Sequence, residues 1–150
     1  MSQRFSVAGK RILITGASSG FGAHFAMALA EEGADLVLAA RRVEKLEDTA
    51  RAVRDLGRDA TVVPMDVSDH ASVEAAFADM PALDVVVNNA GVSHEGPTEN
   101  IAEDEWDRVV DTNLKGVWAV SKFAIQQWKR DERPGSLINI ASILGLRVGG

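Results

Sequence analysis

Five short apolar runs recur along the chain: Arg11 to Thr15, Asp35 to Ala39, Thr61 to Met65, Asp84 to Val87 and Leu137 to Ala141. They are rich in Val, Ile and Leu and do not alternate with polar residues. Such continuity predicts strands covered on both faces, as in a parallel sheet. The intervening segments repeat apolar residues every three or four positions instead. The sets are Phe21, Phe25 and Leu29; Val43, Leu46, Ala50 and Val53; Val73, Ala76, Phe77 and Met80; and Trp106, Val109, Val110, Asn113, Val117 and Trp118. Each set gives a helix one apolar stripe to lay on the sheet. Strand and helix alternate throughout, so the expected fold is α/β, a doubly wound parallel sheet of Rossmann type with five strands present, in one domain over residues 1–150. Asn100 with Glu103 three residues on predicts a capping arrangement for the fourth helix, and Pro134-Gly135 ends the helical region before the fifth strand.

In open parallel sheets ligands bind beyond the carboxyl ends of the strands, so the residues following each apolar run carry the chemistry. After the first run stands Thr15-Gly16-Ala17-Ser18-Ser19-Gly20-Phe21-Gly22. A glycine turn leading into a helix lets backbone N–H groups approach a phosphate, which the helix dipole also favours. The same glycines would equally make a surface loop or let a helix pack closely on a sheet. The spacing differs from G-x-G-x-x-G, and no Gly-Lys-Ser/Thr of an NTPase loop is present. After the second run come Ala40-Arg41-Arg42, after the third Asp66-Val67, after the fourth Asn88-Asn89-Ala90-Gly91, on the next helix Asn113, and after the fifth Ser142.

Composition narrows the partners. With 46% hydrophobic and 25% charged residues in 150, the chain has the balance of a globular domain able to bury a core. Its net charge of −6 provides no broad basic field, so neither a nucleic acid nor an anionic membrane is an expected partner. No apolar run approaches membrane-spanning length, and Met1 to Arg11 lacks the apolar core of a signal peptide, so a cytoplasmic protein is expected. There is no cysteine, which excludes disulfides and thiolate chemistry. His24, His70 and His94 are scattered among non-ligand neighbours, so no metal site is expected.

In its order of motifs, T-G-x-x-x-G-x-G, D-V, N-N-A-G, a helical Asn and a strand-end Ser, the chain resembles the short-chain dehydrogenase/reductase family from about Lys10 to its end. The resemblance implies a dinucleotide-binding domain and a reaction in which hydride passes between nicotinamide and a carbonyl or secondary alcohol of a small molecule. It implies that Gly16, Ser18, Ser19, Gly20, Phe21 and Gly22 border the pyrophosphate and nicotinamide ribose, that Asp66 and Val67 contact the adenine, and that Asn88, Asn89, Ala90 and Gly91 pass beside the cofactor. The residues themselves leave room for other roles. Asp66 would also start the next helix with Ser68 and Asp69, and the two asparagines would also satisfy backbone groups at a sharp bend.

Charge indicates which cofactor. The carboxylate that pairs with the ribose of NAD lies about 20 residues past the glycines, and here that window holds Ala40 followed by Arg41 and Arg42. A guanidinium offers a 2′-phosphate charge-assisted, bidentate hydrogen bonds, so NADP(H) is expected over NAD(H), with Arg41 the better placed. Both arginines would otherwise be solvated residues pairing with Glu44 or Glu47.

For catalysis the resemblance implies that Ser142 hydrogen-bonds the substrate oxygen and that Asn113 helps hold a water in the proton relay. Ser142 would otherwise be a small residue satisfying strand-end backbone groups. The family's proton-transfer pair is Tyr-x-x-x-Lys, and this sequence contains no tyrosine. The chain therefore reads as the N-terminal portion of a longer enzyme, inactive by itself; a non-catalytic nucleotide-binding or partner-subunit module is the other reading. The resemblance also implies a homo-oligomer when complete, packed through the helix from Asn113 to Trp128, whose Val117, Trp118 and Phe123 would equally be core contacts.

Overall fold

A computed structural model describes residues 6–143 and has the expected alternation. Strand β1 (Arg11–Thr15) leads to helix α1 (Gly20–Glu31), β2 (Asp35–Ala40) to α2 (Val43–Asp55), and β3 (Ala60–Pro64) to α3 (His70–Ala78). Then β4 (Val85–Asn88) precedes α4 (Glu103–Val110) and α5 (Gly116–Arg130), which are joined by a π turn at Asp111–Lys115, and β5 (Ser136–Asn139) follows. All pairings are parallel, in the order β3-β2-β1-β4-β5. The direction of winding reverses at β1, which pairs with β2 on one side and β4 on the other. In such a sheet the crevice at the carboxyl ends of these strands is where a ligand lodges.

The apolar runs fill two cores. Leu13, Val37 and Val86 face one side, packed with Val73, Phe77, Val120 and Trp128. Ile12, Ile14, Leu36 and Leu38 face the other, packed with Ala26, Ala30, Leu46, Ala50 and Val53. Burial on both faces is what removes the polar alternation from these strands.

Four details differ from the pattern read along the chain. Helix α1 buries Gly22, Ala26 and Ala30 rather than the stripe of Phe21, Phe25 and Leu29, and Phe21 is 73% exposed. Small residues at four-residue spacing let α1 approach the sheet closely, and the larger side chains move to the flank. In the fourth set, Trp106, Asn113 and Trp118 are exposed, and the buried row of α5 is Gly116, Ala119, Val120, Ala124, Gln127 and Trp128. The π turn is the cause: its wider winding breaks the 3.6-residue phase between α4 and α5, so one stripe cannot run through both. Helix α4 begins after Ala102, with no side-chain cap from Asn100, which belongs to a separate 3₁₀ turn (Thr98–Asn100). Glu103, Asp104 and Glu105 favour its positive end instead. Finally, β5 is exposed along its whole length although its sequence reads as a strand buried on both faces.

Candidate active site

The glycine turn is shaped by close backbone approaches. Gly16 has φ +68°, and a Cβ there would stand 2.9 Å from Ala90 Cα. A Cβ on Gly22 would run into the Gly16 carbonyl oxygen and lie 2.7 Å from Asn89 Nδ2. Only glycine lets β1, α1 and the segment after β4 meet so tightly. Ser19 is the N-cap residue of α1 but makes no side-chain cap, so the opening turn of α1 keeps amide donors that no hydroxyl satisfies. Its hydroxyl accepts a hydrogen bond from Arg42 Nη2 (2.9 Å), as does that of Ser18 (3.1 Å).

Beside this turn lies a cleft of about 320 Å³, at the lower end of small-ligand sites. Gly16, Ser18, Ser19 and Phe21 line it from the first turn, Arg41 and Arg42 from the end of β2, Asp66 and Val67 from beyond β3, and Asn89, Ala90 and Gly91 from beyond β4. Ala40, Met65 and Thr112 complete the wall. The buried Gly22 and Asn88 lie behind the wall without lining it, and Gly20, exposed at the start of α1 with nothing within 4 Å of a Cβ there, does not line it either.

Charge across the cleft is divided. Arg41 Nη1 lies 3.9 Å from Asp66 Oδ2, with 69% of the arginine side chain exposed, a loose pair that leaves the guanidinium available to an anion. The other Asp66 oxygen accepts from the Ser68 amide (3.0 Å) and hydroxyl (2.6 Å), and Asp69 caps α3 through the Ala71 amide. Asp66 thus serves the turn before α3 with one oxygen and faces the cleft with the other. Neither Arg41 nor Arg42 pairs with Glu44 or Glu47, and Arg54 takes Glu47 instead.

Beyond β4 the asparagines hold the bend. Buried Thr15 accepts at Oγ1 from the amides of Asn89 and Ala90, both at 3.0 Å, and its carbonyl accepts from Asn89 Nδ2 (3.0 Å). Asn88 Nδ2 donates to Ser121 Oγ (3.2 Å) and Asn139 Oδ1 (2.9 Å), joining β4, α5 and β5. A turn, a basic strand end, an acid and a bent asparagine pair thus surround one crevice, which suits an elongated anion such as a dinucleotide.

A family model described as short chain dehydrogenase matches residues 10–149. The chain belongs to the short-chain dehydrogenase family. It is 37% identical over 145 residues to an uncharacterized oxidoreductase of Staphylococcus saprophyticus, covering 93% of this chain and 57% of that protein. It is 38% identical over 141 residues to the 3-oxoacyl-(acyl-carrier-protein) reductase FabG of Staphylococcus aureus, covering 91% and 57%. Among solved structures, a gluconate 5-dehydrogenase of Burkholderia cenocepacia in complex with NADP and tartrate superposes with a TM-score of 0.89 at 36% identity, covering 97% of this chain and 58% of that one. The chain therefore spans less than two thirds of the length of these short-chain dehydrogenase relatives.

The two expected catalytic residues of this short-chain dehydrogenase chain do not line the cleft. Asn113 lies in the π turn beside Thr112, and its side-chain amide is committed to one partner: Oδ1 accepts from the Val92 amide (2.9 Å) and Nδ2 donates to the Val92 carbonyl (2.8 Å). That clamp fixes the segment leaving Gly91. Ser142 is exposed three residues past β5. Sequence reasoning missed Thr15, Thr49 and Thr112. Thr49 Oγ1 donates to the Ala17 carbonyl (3.2 Å) and is only 9% exposed, and its signal was a polar residue beside the apolar stripe of Leu46, Ala50 and Val53. Thr15 ends β1 inside the first motif, where a buried hydroxyl needs partners. Among the described residues no cluster of His, Cys, Asp or Glu could hold a metal ion, and no helix is long and apolar enough to cross a membrane.

Proposed function

We propose that these 150 residues form a single dinucleotide-binding domain of an NADP(H)-dependent oxidoreductase acting on a carbonyl or secondary alcohol. The observation that carries the reading is the end of β2. Ala40 stands where a carboxylate would reject a 2′-phosphate, and Arg41 lines the cleft with its guanidinium largely exposed. The uncapped amides of α1 suit a pyrophosphate, and the narrow Gly16–Gly22–Ala90 junction brings backbone within reach of one. When bound, NADP(H) would supply or accept the hydride. Of the chain's own groups, Ser142 would hydrogen-bond the substrate oxygen, and Asn113 would hold the Val92 segment that follows Gly91. The proton-transfer tyrosine of the family has no counterpart in a sequence without tyrosine, so cofactor binding without turnover is the activity assigned to these residues alone.

The test is a fluorescence titration of the chain with NADPH and NADH. Wild type is expected to bind NADPH the more tightly. Arg41→Ala should weaken NADPH by about ten- to a hundredfold, the worth of one or two charge-assisted hydrogen bonds, and NADH by less than about threefold. Equal losses for the two dinucleotides would sink the NADP(H) assignment.

A further inference from the structure

We propose that Arg42 is a positioning residue, a strap that fastens the glycine turn to the β2–α2 junction, and that Arg41 alone reads the 2′-phosphate. This rests on the nucleotide reading above and divides its two arginines. The two side chains are adjacent in sequence but spend themselves differently. Arg42 Nη2 donates to both Ser18 Oγ and Ser19 Oγ, at 3.1 and 2.9 Å, whereas Arg41 has only the loose 3.9 Å pairing with Asp66.

The strap belongs to a larger arrangement. The Ala17 amide donates to the Ala39 carbonyl of β2 (3.2 Å), and the Ala17 carbonyl accepts from Thr49 of α2 (3.2 Å). Residues 17 to 19 are therefore tied, one after another, to the same strand–helix unit. Arg42 supplies the last two ties, at the end of the turn where α1 begins. A serine at an N-cap ordinarily turns its hydroxyl back onto its own helix. Ser19 does not, and Arg42 holds that hydroxyl. The consequence is that the first amides of α1 remain open toward the cleft while the turn is kept in place from outside. The strap couples the end of the cleft where a ribose 2′-phosphate would sit to the end where a pyrophosphate would sit.

The experiment uses the chain with Arg42→Ala, the double variant Ser18→Ala/Ser19→Ala, and all three changes together. Arg42→Ala is expected to weaken NADPH and NADH by the same factor, about five- to tenfold for hydrogen bonds to an exposed charged group. Binding of adenosine 2′-monophosphate, which has no pyrophosphate to meet the turn, should change by less than about twofold, whereas general structural damage would lower it too. In the Ser18→Ala/Ser19→Ala background the Arg42 substitution should add almost nothing, the mark of a coupled pair. Amide hydrogen exchange over residues 16–22 of the ligand-free chain should speed up in Arg42→Ala. The strap is overturned if Arg42→Ala acts selectively on NADPH, if its effect is undiminished without the two hydroxyls, or if exchange in the turn is unchanged. Should wild type bind neither dinucleotide, the nucleotide reading fails, and faster exchange in Arg42→Ala would still support the strap.

Discussion

Strands β2 and β5 stand on either side of the β1–β4 pair, yet Leu36, Val37, Leu38 and Ala39 of β2 are at most 1% exposed while Leu137 and Ile138 of β5 are 37% and 48% exposed. β2 pairs on both sides and carries helices over both faces; among the described residues β5 pairs with β4 alone. The flank that builds the glycine turn and the arginine pair is thus fixed by its own packing. The flank leading to Ser142 is held by the ladder to β4, the Asn88 to Asn139 hydrogen bond, and the Ile140 amide on the Asn88 carbonyl. Binding geometry is a property of the first flank. The placement of Ser142 depends on how firmly one edge is held.

Matched truncations give this contrast its most severe trial. Leu13, with no exposed surface at the centre of β1, should lose about 2–5 kcal/mol on change to Ala, since a cavity is left among side chains that cannot close it. Ile138→Ala, on a half-exposed strand, should cost less than about 1 kcal/mol. Urea unfolding of the two variants measures both. Similar losses would mean that β5 is covered in solution, and the contrast between flanks would fall. A smaller effect is expected at the junction that makes the binding flank rigid. Gly22→Ala forces a methyl group against the Gly16 carbonyl and Asn89, so about 1–3 kcal/mol of stability should go with it. Thermal unfolding reports this cost, and a variant as stable as wild type would show that the junction is looser than its contacts indicate.

How much of this was written in the sequence follows the same division. The strands of the packed flank were legible because burial on both faces leaves unbroken apolar runs at Ile12, Leu36 and their neighbours. The cleft wall was legible because strand ends carry distinctive residues, and Arg41, Asp66 and Asn89 stand in it. Helix faces were less legible. In α1 the buried row is Gly22, Ala26 and Ala30, whose small size signals close approach but whose hydrophobicity is outweighed by Phe21 and Phe25 beside it. In α4 and α5 the π turn shifts the phase, which no fixed 3.6-residue count anticipates. The roles of Arg42 and Asn113 were hidden for another reason. Their partners, Ser18 and Ser19 in one case and Val92 in the other, lie about twenty residues away, and local spacing does not record a tertiary hydrogen bond.

The weakest expected effect concerns the loop that leaves Gly91 between the two flanks. Arg108 of α4 donates through Nη2 to the Ser93 carbonyl (3.0 Å) and to Glu105 Oε2 (2.8 Å), and His94 Nδ1 lies 3.3 Å from the same carboxylate. The Arg108 hydrogen bond, and after it that of His94, holds the Glu105 carboxyl below the usual glutamate range, while Arg108 is pushed higher and stays charged. Glu105 therefore binds its proton less readily in the folded chain than in the unfolded one. Its contribution is fully present above the unfolded value of about 4.3 and is lost as pH falls through the lowered folded value. Amide exchange in residues 93–96 should accordingly be faster in Glu105→Gln than in wild type near pH 7, with the difference shrinking as pH falls below the usual glutamate range. Since the cluster is exposed, the difference should also shrink with added salt. A gap that persists unchanged at acid pH would show that the ionised carboxylate is not what holds the loop, and no gap at pH 7 would leave its pinning to the Arg108 to Ser93 bond and the Asn113 clamp.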